Sequence, residues 1–417
     1  MINELKLSDA VRNQIINFSQ KLTLGLKKPL QKFVAQMLFG ILATKDVKLS
    51  NIARSLGEMI PLIKTENRLS RQTKSRDLTE ELTRPIINNG TIWVKDNTVL
   101  AVDVSDLTKE YATKMECLAL VRDGSCGGEI TKGYWLIAIV AADVRGERLI
   151  PLLTKLYSQE ADDFKSENTE ILTAIDSVLA ATKGKGIIAI DRGGDRKHLI
   201  GGLLGRRARF VIRLVGDRNF VDRQGNFRLA LTIANRVNCR EAIAIETENQ
   251  GKRERHRVWV GRTKVKLPGR KEVLSLVVVK GFGDKPLMLL TNVADKTAEA
   301  VLEIYLTRWK CDESYRFLKS GYNLEDVRVR SYVGLRNITV LILAVFHFLA
   351  VYLGERFQVN ILLRKILERA KRFFQIPEFK FYAMADGVFW ILIKGGQGPP
   401  RQKKVRDRSQ LMFPFSK

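Results

Sequence analysis

The sequence predicts an α/β fold: a mixed sheet with flanking helices, interrupted by a β-rich insertion and bracketed by helical N- and C-terminal regions. Three observations carry that expectation. Short apolar runs over 98–106, 133–142, 148–157, 186–195 and 209–215 read as strands, and from 162 onward they alternate with helical spacing. A strand-rich, strongly basic block of about 217–293 interrupts this pattern. Before Pro85 and after Asp295 the apolar residues repeat at a helical period. The boundaries that follow are a helical N-terminal region (1–90), a core in two parts (91–216 and 296–355), an insertion (217–295), and a helical C-terminal region with a basic tail (356–417).

Taken in order, Leu30, Phe33, Val34, Met37, Leu38, Ile41 and Leu42 mark an amphipathic helix. Residues 48–57 form a short helix with Ser50 as N-cap and Gly57 as stop, and 64–71 open another. Short basic helices in this order resemble a helix-turn-helix, which lays a helix in a DNA groove; a plain helical subdomain fits equally well. The strand 98–106 carries Asp103 and Asp106 at its end. Strands 133–142 and 148–157 join through a hairpin turn at 143–146. A helix over 162–181 leads to the strand that ends in Asp191, Arg192 and two glycines. Asp103 and Asp191 thus both fall at strand C-terminal ends, where open α/β sheets gather ligands. Either aspartate alone is more often a turn former.

After the insertion comes the stretch on which the rest turns, a helix over 305–319. At about 100° per residue, Tyr305, Arg308, Asp312 and Lys319 share a sector of roughly 60°, and Glu313 lies about 100° from Asp312. Ile304, Cys311, Tyr315 and Leu318 form the neighbouring, inward face. A carboxylate set among phosphate-binding cations suits a site where a metal meets a nucleic-acid backbone. A solvated, salt-bridged helix would also mix charges, but less regularly.

Composition narrows the partner. The chain has 417 residues, 45% of them hydrophobic, and a net charge of +26, so it folds and calls for a polyanion. The most apolar run, 338–353, is shorter than the ~18 residues of a membrane span and reads as a buried helix. No signal-peptide layout opens the sequence, which predicts a cytoplasmic protein. Cys117, Cys126, Cys239 and Cys311 show no paired spacing, and there are only three histidines, so zinc and histidine chemistry are poorly supported. Carboxylates remain, and an all-oxygen set favours Mg²⁺ or Mn²⁺.

At residues 305–319 the sequence resembles the DDE transposases of the YREK-signature insertion-sequence (IS-four) family. Tyr305, Arg308 and Lys319 match the signature's tyrosine, arginine and lysine in identity and spacing. Asp191-Arg192 with Asp195 resembles the second acidic motif, and Asp103-Val-Ser-Asp106 the first. The resemblance implies a ribonuclease H-like core and two divalent ions held by Asp103, Asp191 and a third acid. It further implies cleavage at insertion-sequence ends, transfer of the freed 3′-hydroxyl into target DNA, and a homodimer on paired terminal inverted repeats. Tyr305, Arg308, Lys319 and Arg192 would hold DNA. The signature's Glu is replaced here by Asp312; the helical angle favours Asp312 over Glu313 as third acid. Trp259, in the insertion, would stack on an unstacked base or pack in its own strand layer. A DNA-binding protein without cleavage and a metal-dependent endonuclease on the same core are the competing functions.

Overall fold

The computed structural model describes residues 4–122, 128–222, 224–249, 252–281, 283–354, 364–367, 379–395 and 398, with side chains of 241–256 outside the description. Five helices come first: α1 (Glu4–Leu22), α2 (Lys28–Thr44), α3 (Leu49–Leu56), α4 (Leu62–Ser75) and α5 (Thr79–Thr91). Ser50 does not cap α3. Lys48 holds the cap position, and the side chain of Asp46 accepts from the Lys48 N–H (2.9 Å) and from Asn51 Nδ2 (2.6 Å). Gly57 ends α3 in the left-handed conformation, as expected. α5 runs through Pro85.

The sheet begins with β1 (Val99–Thr108), β2 (Ala119–Arg122), β3 (Ile130–Ala142) and β4 (Leu149–Tyr157). After α6 (Glu167–Thr182) come β5 (Ile187–Ile190), a 3₁₀ turn at Arg192–Gly194, α7 (Lys197–Gly205) and β6 (Phe210–Arg213). Asp103 is not the end of its strand, because β1 continues to Thr108 in antiparallel pairing with β3. What does end there is the parallel pairing with β5, whose last partners are Val102 and Ile190. Asp103 and Asp191 therefore each follow the last rung of one parallel ladder, which places them side by side.

The basic block contributes β7 (Asn219–Val221), β8 (Phe227–Leu229), an unforeseen helix α8 (Ala230–Arg236), β9 (Glu241–Asn249), β10 (Lys252–Lys266), β11 (Val273–Lys280) and β12 (Leu287–Thr291). It is rich in strands as expected, but it does not stand apart. β12 pairs antiparallel with β6, and the main path of the sheet runs β2-β3-β1-β5-β6-β12-β11-β10-β7-β8. Side chains lock that junction: Thr291 Oγ1 donates to the Phe210 carbonyl (2.6 Å), and Asn292 bonds Phe210 N (2.9 Å) and the Ala208 carbonyl (2.7 Å).

Helices close the chain: α9 (Ala298–Leu306), α10 (Trp309–Gly321), α11 (Tyr332–His347) continuing as a π turn to Leu353, and α12 (Phe381–Lys394). The stretch 305–319 is thus two helices, broken at Thr307-Arg308. Tyr332–Leu353 is long and apolar enough to cross a membrane, yet nearly all of it is buried against β4 and the N-terminal helices. His347 is a satisfied core histidine, 2.8 Å from the Pro151 carbonyl and 2.8 Å from Asn89 Nδ2. Most of 356–417, including nearly all of the basic tail, lies outside the described residues.

Candidate active site

Three elements bring aspartates within electrostatic reach of one another. β1 and β5 present Asp103 and Asp191, and the first turn of α10 presents Asp312. α10 is fixed there by a buried phenol: Tyr315 OH lies 2.7 Å from the Asp103 carbonyl and 2.9 Å from that of Leu136. Sequence reasoning treated Tyr315 as simple packing. Its hydroxyl ties the helix bearing the third aspartate to the backbone of the first. Cys311, one turn earlier, is fully buried and its thiol is pushed well up by burial, so it offers no nucleophile.

The carboxylates feel one another. Burial pushes the Asp103 carboxyl well above the usual range; the Arg308 guanidinium opposes this, while Asp312 and Asp191 push it further up. Arg308 grips Asp312 with both arms of its fork, Nη1 to Oδ1 at 3.0 Å and Nη2 to Oδ2 at 3.1 Å, and stands 3.7 Å from Asp103. Burial works against its charge, but Asp312 and Asp103 outweigh burial and hold it protonated. Asp191 spends one oxygen on the Gly193 N–H (2.8 Å), capping the 3₁₀ turn. Glu313 pairs with Arg316 at 2.5 Å.

Not every expected partner joins this cluster. Lys319 sits about two turns beyond Asp312, bridging Asp106 (3.3 Å) and Glu325 (3.2 Å). Tyr305 belongs to α9, is only 8% exposed, and packs with Val301, Ile304 and the β11–β12 face. Tyr305 and Arg308 fall on separate helices either side of Thr307, yet the Tyr305 phenol still acts on the Arg308 guanidinium. Tyr305 also meets Arg192 at a cavity of about 590 Å³ with Arg213 and Lys285 on its wall. Trp259 lies on β10, 42% exposed and against Gly281; no contact brings it to the aspartates. Asp195 is taken up by Arg218 (2.5 Å) and the Val215 N–H (2.9 Å), a structural role.

Among the described residues no three Asp, Glu, His or Cys side chains are gathered tightly enough to form a finished metal site. The donor chemistry nevertheless fits hard divalent cations: three carboxylates close enough to act on one another's charge, with Arg308 between Asp103 and Asp312. A cavity of about 230 Å³ opens beside Asp103 and Asp191, against Trp135, Glu167 and Arg196.

Residues 96–347 match the family described as transposase DDE domain. Among solved structures the chain is similar to a piggyBac transposase in a synaptic complex with hairpin DNA, at 10% identity and a TM-score of 0.41, covering 94% of this chain and 82% of that one. No curated protein matches the sequence.

Proposed function

The chain belongs to the transposase DDE domain family, and from that premise we propose that it is a metal-dependent DNA transposase of the cut-and-paste type, with Asp103, Asp191 and Asp312 as its acids. The mutual electrostatic reach of these three carboxylates, from β1, β5 and α10, is the observation that carries the reading. The strand order β4-β3-β1-β5-β6, with helices on both sides, supports a ribonuclease H-like core. The finer assignment to the YREK group rests on Tyr305, Arg308 and Lys319, and the burial of Tyr305 narrows its part to shaping the site wall.

Two Mg²⁺ or Mn²⁺ ions held by Asp103, Asp191 and Asp312 would supply Lewis-acid charge for in-line displacement at a phosphodiester. The chain's own groups do the rest. Tyr315 fixes the distance between α10 and β1. Arg308 presents a planar two-pronged donor that suits a phosphate as well as a carboxylate, so arriving DNA competes with Asp312 for it. Lys319 and Arg192 hold the backbone on either side. A dimer on paired terminal inverted repeats, joining the freed 3′-hydroxyl to target DNA, completes the proposal.

One observation favours a second reading, a transposase-derived DNA-binding protein: the third acid is the shorter Asp and is already occupied by Arg308. Strand cleavage on DNA carrying the element's ends, with Mg²⁺, decides between them. Nicking should be lost in Asp103→Ala, Asp191→Ala and Asp312→Ala and survive in Glu313→Ala. Survival of Asp312→Ala with loss in Glu313→Ala would overturn the third acid. A wild type that binds and never cuts would favour the binding protein.

A further inference from the structure

Beyond the aspartates, α10 is tied to β1 a second time. Lys319 Nζ reaches Asp106 Oδ2 at 3.3 Å and Glu325 Oε1 at 3.2 Å. Measured along α10 or along β1, this second tie lies ~10 Å from the Asp103–Asp312 pair. Asp106 is buried, and the Glu325 side chain is the more open of the two partners, 40% exposed against 9%.

Glu325 belongs to a 3₁₀ turn, Leu324–Asp326, which the chain enters through Asn323 in the left-handed conformation (φ 53°). Leu324 plugs the turn into the core. Two lysines hold it from outside. Lys109, the residue after β1, is buried; its ammonium donates to the backbone carbonyls of Glu325 and of Val327 (3.0 Å). Its own N–H bonds the Lys132 carbonyl of β3 at 2.7 Å, so the side chain leaves from a fixed strand end. Lys48 of α3 pairs with Asp326 at 2.5 Å. Burial pulls the Lys109 ammonium down to about 8; Asp326 and Glu325 work against burial, and Lys48 adds to it. Burying an ammonium is unfavourable, so packing alone does not account for a lysine here.

We propose that Lys109 is a positioning residue for strand cleavage: by clamping the turn 324–327 to the end of β1 it fixes Glu325, which together with Asp106 holds Lys319 in place for a DNA phosphate beside the scissile one. The inference deepens the proposed function and rests on its assignment of Lys319 to the DNA backbone. An arriving phosphate takes the place of the more open carboxylate, Glu325, and Asp106 keeps the ammonium from following the DNA away. Lys109 is itself buried, so its effect on DNA passes through the turn and Lys319.

The test uses the full-length protein and duplex DNA carrying the element's ends. Wild type, Lys109→Met, Lys319→Met and the double variant Lys109→Met/Lys319→Met are compared, first for binding in EDTA over a range of salt, then for single-turnover nicking with Mg²⁺. Lys319→Met should reduce the salt slope of binding by about one and slow nicking. Lys109→Met should reduce the slope alike, although the charge it removes is buried, and slow nicking about tenfold. The double variant should be no worse than Lys319→Met alone in either measurement. The ratio of wild-type to Lys109→Met nicking should shrink as pH rises through about 8, where the ammonium gives up its proton. Melting curves check folding, and Lys109→Gln, which keeps one donor, takes the place of Lys109→Met if that variant unfolds.

Losses that multiply in the double variant would overturn the inference, since Lys109 would then act apart from Lys319. So would a ratio that ignores pH, or a Lys109→Met protein that binds and nicks as wild type does while Lys319→Met does not. If Lys319→Met changes neither slope nor nicking, the assignment of Lys319 fails and takes the inference with it, and the aspartates keep their own test. A wild type that never nicks would sink the proposed chemistry, and the salt slopes would still decide whether Lys109 places Lys319.

Discussion

The fork of Arg308 makes it the positive charge between Asp103 and Asp312 (3.7 and 3.0 Å). Replacing it with Gln keeps some donors and removes the charge, leaving two carboxylates facing each other. Arg308→Gln should lower the melting temperature without metal and gain a larger upward shift than wild type on adding Mg²⁺. Equal shifts in the two proteins would show that Arg308 does not compete for the same oxygens. Tyr315→Phe removes a hydroxyl shared between two buried carbonyls. It should cost about 1–2 kcal/mol in denaturant unfolding and slow nicking, because α10 is then free to shift against β1. Unchanged nicking at reduced stability would confine Tyr315 to folding.

At the scale of elements, the α3–α4 corner carries its own titration. Burial alone would raise the Glu58 carboxyl, but hydrogen bonds from Thr65, Arg68 and Gln36, with the charge of Arg68, outweigh it and leave it below its usual range. A depressed carboxyl stabilises the fold above its unfolded value, and that contribution is lost as pH falls through the folded value. Glu58→Gln should therefore unfold at lower denaturant than wild type near neutral pH, and the gap should close as pH falls through the carboxylate range. A gap independent of pH would mean that the network acts through shape and not through charge. Much of this level was legible in the sequence. The sequence singled out Asp103, Asp191 and Asp312, whose carboxyls lie within electrostatic reach of one another although Asp103 is mid-strand, and helical periodicity set α2, α4 and α11. The break between α9 and α10 was not, because Thr307 and Arg308 keep helical dihedrals (φ −59°, ψ −20° and φ −57°, ψ −28°) and neither Gly nor Pro announces it. The start of α3 at Lys48, braced by Asp46 through the Lys48 N–H and Asn51 Nδ2, was missed because Ser50 had the commoner capping chemistry.

For the whole molecule, the junction of β6 and β12 joins residues some 80 positions apart in the chain, a pairing that no local pattern encodes. It makes the acidic core and the basic block one hydrogen-bonded sheet, so a single cooperative unfolding transition is expected across both. Hydrogen exchange should show β11 and β12 protected to the same free energy as β5 and β6, and Asn292→Ala should lower that value for all four. A basic block that exchanges early and alone would contradict this. The same continuity has a geometric result. Four strand steps separate β5 from β10, and a sheet turns by roughly 20–25° per step. The two strands are therefore crossed by about 80–100°, like the arms of a set square. Any rigid partner aligned with β10 would thus reach the aspartates broadside.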